Sequence, residues 1–209
     1  QGSRGGVDFW IVKTDASGAK QWDRRFGGPV EDEAIGIRQT SDGGYVVCGS
    51  SVSGAGGDKS QASRGGFDWW IVKMDDSGNA QWDKRFGGAD NELCFGIELT
   101  TDGGYVLAGF SNSGQGGDKS QDLQGSFDYW IVKLNAVGKR LWDRRFGGAL
   151  ADYCLGGVQK TMDGGYVLGG TSLSAAGGDK TQGSRGLQDF WVVKMRDLTV
   201  FNANGRHEQ

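Results

Sequence analysis

The residues with the most chemical potential sit in a motif that occurs three times. GGDKSQ at 56–61 returns at 116–121, and as GGDKTQ at 177–182. Each copy places a carboxylate, an ammonium, a hydroxyl and an amide on consecutive residues. These are Asp58, Lys59, Ser60 and Gln61; Asp118, Lys119, Ser120 and Gln121; and Asp179, Lys180, Thr181 and Gln182. Such a set suits hydrogen bonding to sugar hydroxyls, and its carboxylates suit calcium. The Lys beside each Asp works against a tight metal site. The competing reading is a solvated loop whose Asp caps its own backbone. The Asp, Lys and Gln of each copy are the candidate ligand-binding residues. No resident cofactor is expected, with calcium as the one ion to consider.

Other candidates are weaker. The single His, His207, lies near the C-terminus, so a Ser–His–Asp, Cys–His or His-based zinc site would have to be built from a tail. Cys94 and Cys154 share a repeat position with Ala34, and Cys48 aligns with Ala108 and Gly169. Replacement by Ala or Gly marks small buried side chains, not nucleophiles. Asp15, Asp75 and Asp76 precede Gly18 and Gly78, but lack the alternating oxygens and distal Glu of a calcium loop. Arg25, Arg85 and Arg145 recur with Asp8, Asp68, Asp128 and Asp189. An Arg–Asp bridge is the expected arrangement, with anion binding as the alternative. A glycosidase needs one carboxylate pair roughly 5–10 Å apart. Here the carboxylates recur from unit to unit, so no enzymatic activity is expected.

The elements that position these residues follow from the repeat. DFWIVK at 8–13 returns as DWWIVK at 68–73, DYWIVK at 128–133 and DFWVVK at 189–194. The extra residue of the third unit falls at Gly156–Gly157. The chain reads as one repeat domain, 1–209, with units 8–67, 68–127 and 128–188 and a partial unit 189–209. It starts inside a repeat without Met, which points to a processed or excised piece.

Each unit predicts four strands. FWIVK is short, apolar on both faces and bounded by DASG-type turns, as a doubly covered strand would be. KQWDRRF follows and closes at Gly27-Gly28. AIGIRQT turns at Ser41-Asp-Gly-Gly44, a strong hairpin signal, into YVVCGSS. The loop of about 16 residues that follows is longer than a hairpin needs, as functional loops are. The Trp residues of these strands read as packing between sheets, with sugar stacking as the alternative.

Composition agrees. The 209 residues include 40 Gly and one Pro, with 8 Trp, 10 Phe and 5 Tyr, too much apolar area for a disordered chain. The net charge of −3 offers no basic field for nucleic acid. No apolar run approaches the roughly 18 residues of a membrane span.

The unit DxWIVKxDxxG…WDxxFGG…TxDGGYVxAG is similar to repeats in secreted or surface proteins of Bacteroidetes and some archaea. More distantly, it resembles the blades of quinoprotein-like and WD40-like propellers. The resemblance covers residues 1–195. It implies an all-β fold, a β-propeller of four-stranded antiparallel blades, and an extracellular or cell-surface setting. It brings no catalytic residues. The quinone-binding residues and the C-terminal sorting domain of exported members have no counterpart here. Laid on that pattern, the innermost strand is 45–50 and a blade runs from Tyr45 to about Thr101. The chain then holds two whole blades, a first blade lacking its inner strand and a last lacking most of its outer half. The long loops and the Phe-Gly-Gly turns would share one face, bringing Asp32, Glu33, Asp90, Glu92 and Asp152 to the same rim.

Propellers close with about four to eight blades. Three readings therefore stand: a fragment of a longer array, a small ring closed with a strand from 199–203, or copies that associate to complete a ring. The functional expectation is a non-enzymatic extracellular binding or adhesion module, with glycan or a surface polymer as partner. The alternative is a structural or self-assembling repeat scaffold.

Overall fold

A computed structural model of the chain describes residues 2–199. Its named elements are all β-strands, and among the described residues no helix is long and apolar enough to cross a membrane. β1 (Phe9–Thr14) and β2 (Lys20–Phe26) form a two-stranded sheet. β3 (Asp32–Gln39), β4 (Tyr45–Ser51), β5 (Asp68–Met74) and β6 (Ala80–Phe86) form the second sheet, in that order. β7 (Glu92–Leu99), β8 (Tyr105–Ser111), β9 (Asp128–Leu134) and β10 (Arg140–Phe146) repeat it as the third. The fourth sheet joins β11 (Asp152–Tyr153) and β12 (Val158–Lys160) to β13 (Tyr166–Ser172), which pairs with β14 (Asp189–Met195). Every named pairing is antiparallel.

The four-strand unit is present, but its phase corrects the expectation. The sheet runs from Asp32 to Phe86, not from Tyr45 to Thr101. β7 pairs with β8, Glu92 opposite Ser111 and Leu99 opposite Tyr105, rather than completing the sheet before it. Local turn chemistry decides this. The Thr40 amide donates to Gly44 O at 2.9 Å, and the Asp42 carboxylate accepts from the Thr40 hydroxyl and the Gly44 amide. That closed turn makes β3 and β4 a hairpin, so 45–50 is the second strand of its sheet. Two whole sheets remain. The first sheet lacks two strands rather than one, and the last lacks only the fourth. Thr199 lies in a turn, its amide donating to Asp197; the rest of the strand expected over 199–203 lies outside the described residues.

Successive sheets stack face to face through three apolar layers. Phe9 meets Trp70 at 4.8 Å between ring centroids, Trp69 meets Trp130 at 4.5 Å, and Tyr129 meets Trp191 at 4.8 Å. The aromatic before the repeat Trp in one sheet thus packs on the repeat Trp of the next. Trp69, Trp70 and Trp130 are fully buried, which places them in packing. Each such ring removes about 150–250 Å² from water.

The sheets come closest along their first strands. A Cβ at Gly96 would lie 3.1 Å from the Gly157 α-carbon, so a side chain there would have to push the neighbouring strand back by a few tenths of an ångström. The extra residue at 156–157 falls here and splits this strand into β11 and β12. Among the described residues the stack does not close into a ring.

Candidate functional site

The three GGDK loops connect the second and third strands of their sheets and share one construction. Gly56 and Lys59 exchange backbone hydrogen bonds across a two-residue turn, which needs the left-handed backbone of Gly57 (φ 64°). The same exchange occurs between Gly116 and Lys119 and between Gly177 and Lys180. The turn throws Asp and Lys in different directions.

The Lys goes inward. Lys59, Lys119 and Lys180 are buried. Lys59 Nζ donates to Ser53 O and Ser63 Oγ, both at 3.0 Å. Lys119 Nζ donates to Ser111 Oγ at 2.8 Å. Lys180 Nζ donates to Ser172 Oγ, Ser174 O and Ser184 Oγ at 2.8–2.9 Å. Burial pulls Lys59 down to about 8, against the pull of the Asp32 and Asp68 carboxylates. Burial likewise lowers Lys119.

The Asp goes sideways, onto the preceding sheet. The Asp58 amide donates to Gly27 O at 3.0 Å, the Gly27 amide donates to Asp58 Oδ2 at 3.2 Å, and Arg4 pairs with the same carboxylate at 2.9 Å. Asp118 repeats this with the Gly87 amide at 3.1 Å and Arg64 at 2.7 Å. Asp179 takes the Gly147 amide at 3.1 Å and Arg145 at 2.9 Å. The Gln closes on its own sheet, Gln61 Oε1 accepting from the Arg85 amide and Gln121 Oε1 from the Arg145 amide. Gln182 lines an open cavity of about 560 Å³ with Thr181, Arg185 and Asp189 at the C-terminal end of the stack. In the first two loops the candidate Asp, Lys and Gln are thus each engaged with a different part of the chain.

The expected acidic rim divides. Glu33 and Asp90 are exposed. Asp32, Glu92 and Asp152 have no exposed surface. Asp32 accepts from the Gly28 amide at 2.7 Å and Ser53 Oγ at 2.9 Å; Asp152 does the same with Gly148 and Ser174 at the same distances. Glu92 accepts from the Gly88 amide and Ser111 Oγ, both at 2.6 Å. These carboxylates tie the turn leaving one sheet to the long loop of the next. Spacing alone carried no signal for that burial. No group of three or more His, Cys, Asp or Glu able to hold a metal occurs among the described residues.

The expected Arg–Asp bridges form within the first three sheets: Asp8–Arg25 at 3.8 Å, Asp68–Arg85 at 3.6 Å and Asp128–Arg145 at 3.7 Å. Burial nevertheless raises Asp68 and Asp128 to about 6, helped by the Glu92 and Asp152 carboxylates across the next junction. The three Cys are free and buried. Burial pushes the Cys154 thiol up to about 12 and, with Cys48 beside it, raises Cys94 well above its usual range. Neither is a ready nucleophile.

One feature went unread in the sequence. Each junction sets the Trp of one sheet's last strand against a Tyr of the next: Trp22–Tyr45 and Trp82–Tyr105 at 5.8 Å, and Trp142–Tyr166 at 6.2 Å. Between the second and third sheets this pair borders a cavity of about 320 Å³, also lined by Asp42, Lys73 and Gln81. Lys73 Nζ donates to Asp42 Oδ2, Met74 O and Gln81 Oε1 at 2.9–3.0 Å. The Thr40 hydroxyl and Lys73 hold Asp42 well below the usual carboxylate range. The visible signal was the Tyr that follows each Asp-Gly-Gly turn.

No protein-family model matches the chain. It is 30% identical over 137 residues to the regulatory protein FlaEY of Caulobacter vibrioides; the match covers 63% of this chain and spans 14% of that relative's length. Among solved structures it is similar to a protein of unknown function from Bacteroides caccae. That match has 13% identity, covers 75% of this chain and 62% of the other, and has a TM-score of 0.33.

Proposed function

We propose that the chain is a non-enzymatic, propeller-type repeat scaffold whose GGDK loops are clasps between neighbouring blades. The observation that carries this is the wiring of the repeated Asp. Asp58, Asp118 and Asp179 each accept from the glycine amide that ends the preceding sheet, two of them also pairing with an Arg of that sheet's loop. A carboxylate spent on its neighbour's backbone has little left for a ligand, and a buried, hydrogen-bonded Lys has less. An extracellular or surface setting belongs to the same proposal; its support is the repeat resemblance.

The test is an Asp58/Asp118/Asp179→Ala triple variant beside the wild type, taken through thermal melts, calcium titration and a glycan array. The scaffold reading expects a lower melting temperature and no ligand-dependent difference. Saturable glycan or calcium binding by the wild type that vanishes in the triple variant overturns it.

A second reading, a glycan-binding or adhesion module, is favoured by the cavity beside Trp82 and Tyr105, which offers an aromatic face with Asp42, Lys73 and Gln81 at its edge. Binding there quenches Trp fluorescence in the wild type and is lost in Gln81→Ala, while the clasp variants retain it.

A further inference from the structure

Each junction between sheets brings three repeat positions together: the Lys of the DxWIVK strand in one sheet, the Tyr after the Asp-Gly-Gly turn of the next, and the second residue past that next sheet's own DxWIVK strand. These are Lys13, Tyr45 and Asp76; Lys73, Tyr105 and Ala136; and Lys133, Tyr166 and Asp197. At two junctions the third residue supplies an oxygen acceptor. The Asp197 carboxylate reaches inward, where the Tyr166 hydroxyl donates to Asp197 Oδ2 at 2.5 Å and Lys133 Nζ does so at 3.3 Å. Asp76 O accepts from Trp22 Nε1 at 3.1 Å and from Lys13 Nζ at 3.4 Å.

The middle junction has Ala136 in that place, with no side-chain acceptor. Here lies the cavity of about 320 Å³, which Lys73, Trp82, Tyr105 and Ala136 help to line. Small-molecule sites run from about 300 to 1,000 Å³. Tyr105 is only 3% exposed, yet its hydroxyl makes no hydrogen bond among the described residues. Trp82 Nε1 makes none there either. A donor buried without a partner costs free energy that an incoming acceptor recovers. Lys73 donates to Gln81 Oε1 at 3.0 Å, and Leu141 stands at the position of Gln81 in the next repeat. The Gln81 amide thus holds on Lys73 the contact that Asp197 holds on Lys133. Asp42 is no bar to a second carboxylate, because Lys133 keeps its counterpart Asp102 at 3.1 Å while it holds Asp197 at 3.3 Å.

We propose that this cavity takes the carboxylate of a uronic-acid sugar, in the place that Asp197 fills at the next junction. The inference rests on the second reading above, in which the cavity binds glycan, and it names the class of sugar. The ligand carboxylate accepts from the Tyr105 hydroxyl and from Lys73 Nζ, displacing Gln81 Oε1. The freed Gln81 amide and Trp82 Nε1 then donate to ring and hydroxyl oxygens, with Ser41 also lining the cavity. Charge-assisted bonds of this kind are about twice as strong as neutral ones. A neutral sugar brings Lys73 nothing that Gln81 does not already give, so the carboxylate carries the discrimination. The neighbouring junctions hold an acceptor of their own, so one ligand per chain is expected rather than one per repeat.

The test is a titration followed by calorimetry and by the Trp82 indole N–H resonance. The probes are glucuronate and galacturonate, glucose and galactose as the same rings without the carboxylate, and acetate as the carboxylate without the ring. The wild type is expected to bind a uronate at one site per chain, at least about tenfold more tightly than the matching neutral sugar. Acetate is expected to shift the same resonance, with weaker affinity. Tyr105→Phe, which removes a hydroxyl that bonds to nothing, is expected to keep its melting temperature and to bind the uronate about tenfold more weakly. Ala136→Asp offers the chain's own carboxylate and is expected to lose uronate binding with the fold kept, as near-ultraviolet circular dichroism checks. A neutral sugar bound as tightly as its uronate overturns the proposal and leaves the glycan reading standing. Uronate binding undiminished in both variants also overturns it. Acetate bound as tightly as the uronates overturns the sugar and the glycan reading together, and so does a Trp82 resonance that no probe moves.

Discussion

Trp69 and Trp130 meet across the junction of the second and third sheets, 4.5 Å between ring centroids and tilted by 44°. They come from the same strand of consecutive repeats, one residue apart in register. An aromatic in each sheet is thus roofed by the Trp of the next, and the sheets depend on one another for burial.

That dependence sets a contrast. Trp130→Ala empties a fully buried site and costs about 3–5 kcal/mol. Trp10→Ala, at the equivalent position on an exposed face, costs under about 1 kcal/mol. Urea unfolding of both variants measures the difference.

The clasp has a local readout. Asp118→Ala removes the acceptor for the Gly87 amide and for Arg64. The expected cost is about 1–2 kcal/mol. Amide exchange should speed up in the loop 112–127 and around Gly87, with β7 to β10 unchanged.

Stability should fall as pH rises from 5 to 7. Asp68 and Asp128 have folded values of about 6, above the usual 3.8, so the folded state holds the extra proton in that window. Where the native state binds more protons, stability decreases with pH. The loss is about 1 kcal/mol for each group. Melts of an Asp68→Asn/Asp128→Asn variant across this range should show the slope removed.

Above neutrality Lys59 works in the other direction. Its folded value of about 8 lies below the usual 10.5, so the unfolded chain binds the extra proton between them. Stability from this group rises with pH through that window, by about 1 kcal/mol from pH 7 to 9. Lys59→Met abolishes the rise, and it lowers stability at every pH by leaving Ser53 O without its ammonium donor.

Much of the fold was legible because local rules agreed. Asp-Gly-Gly turns and short aromatic runs marked the strands, and the recurring Arg and Asp marked their bridges. The resemblance starts a sheet at Tyr45, whereas the hairpin at 40–44 starts it at Asp32. Lys59, Asp58 and Gln61 are adjacent in sequence but diverge in space, which spacing does not reveal. Their partners, Ser53, Gly27 and the Arg85 amide, lie on three separate stretches of chain.

By itself the sequence determined the repeat length, the four strands of each unit and the turns between them, since these depend on side chains a few residues apart. Only the tertiary structure decided which polar residues are buried, which faces stay bare and where each sheet begins. Those outcomes depend on sheets a repeat apart coming close enough to exclude water, and no single unit encodes that distance.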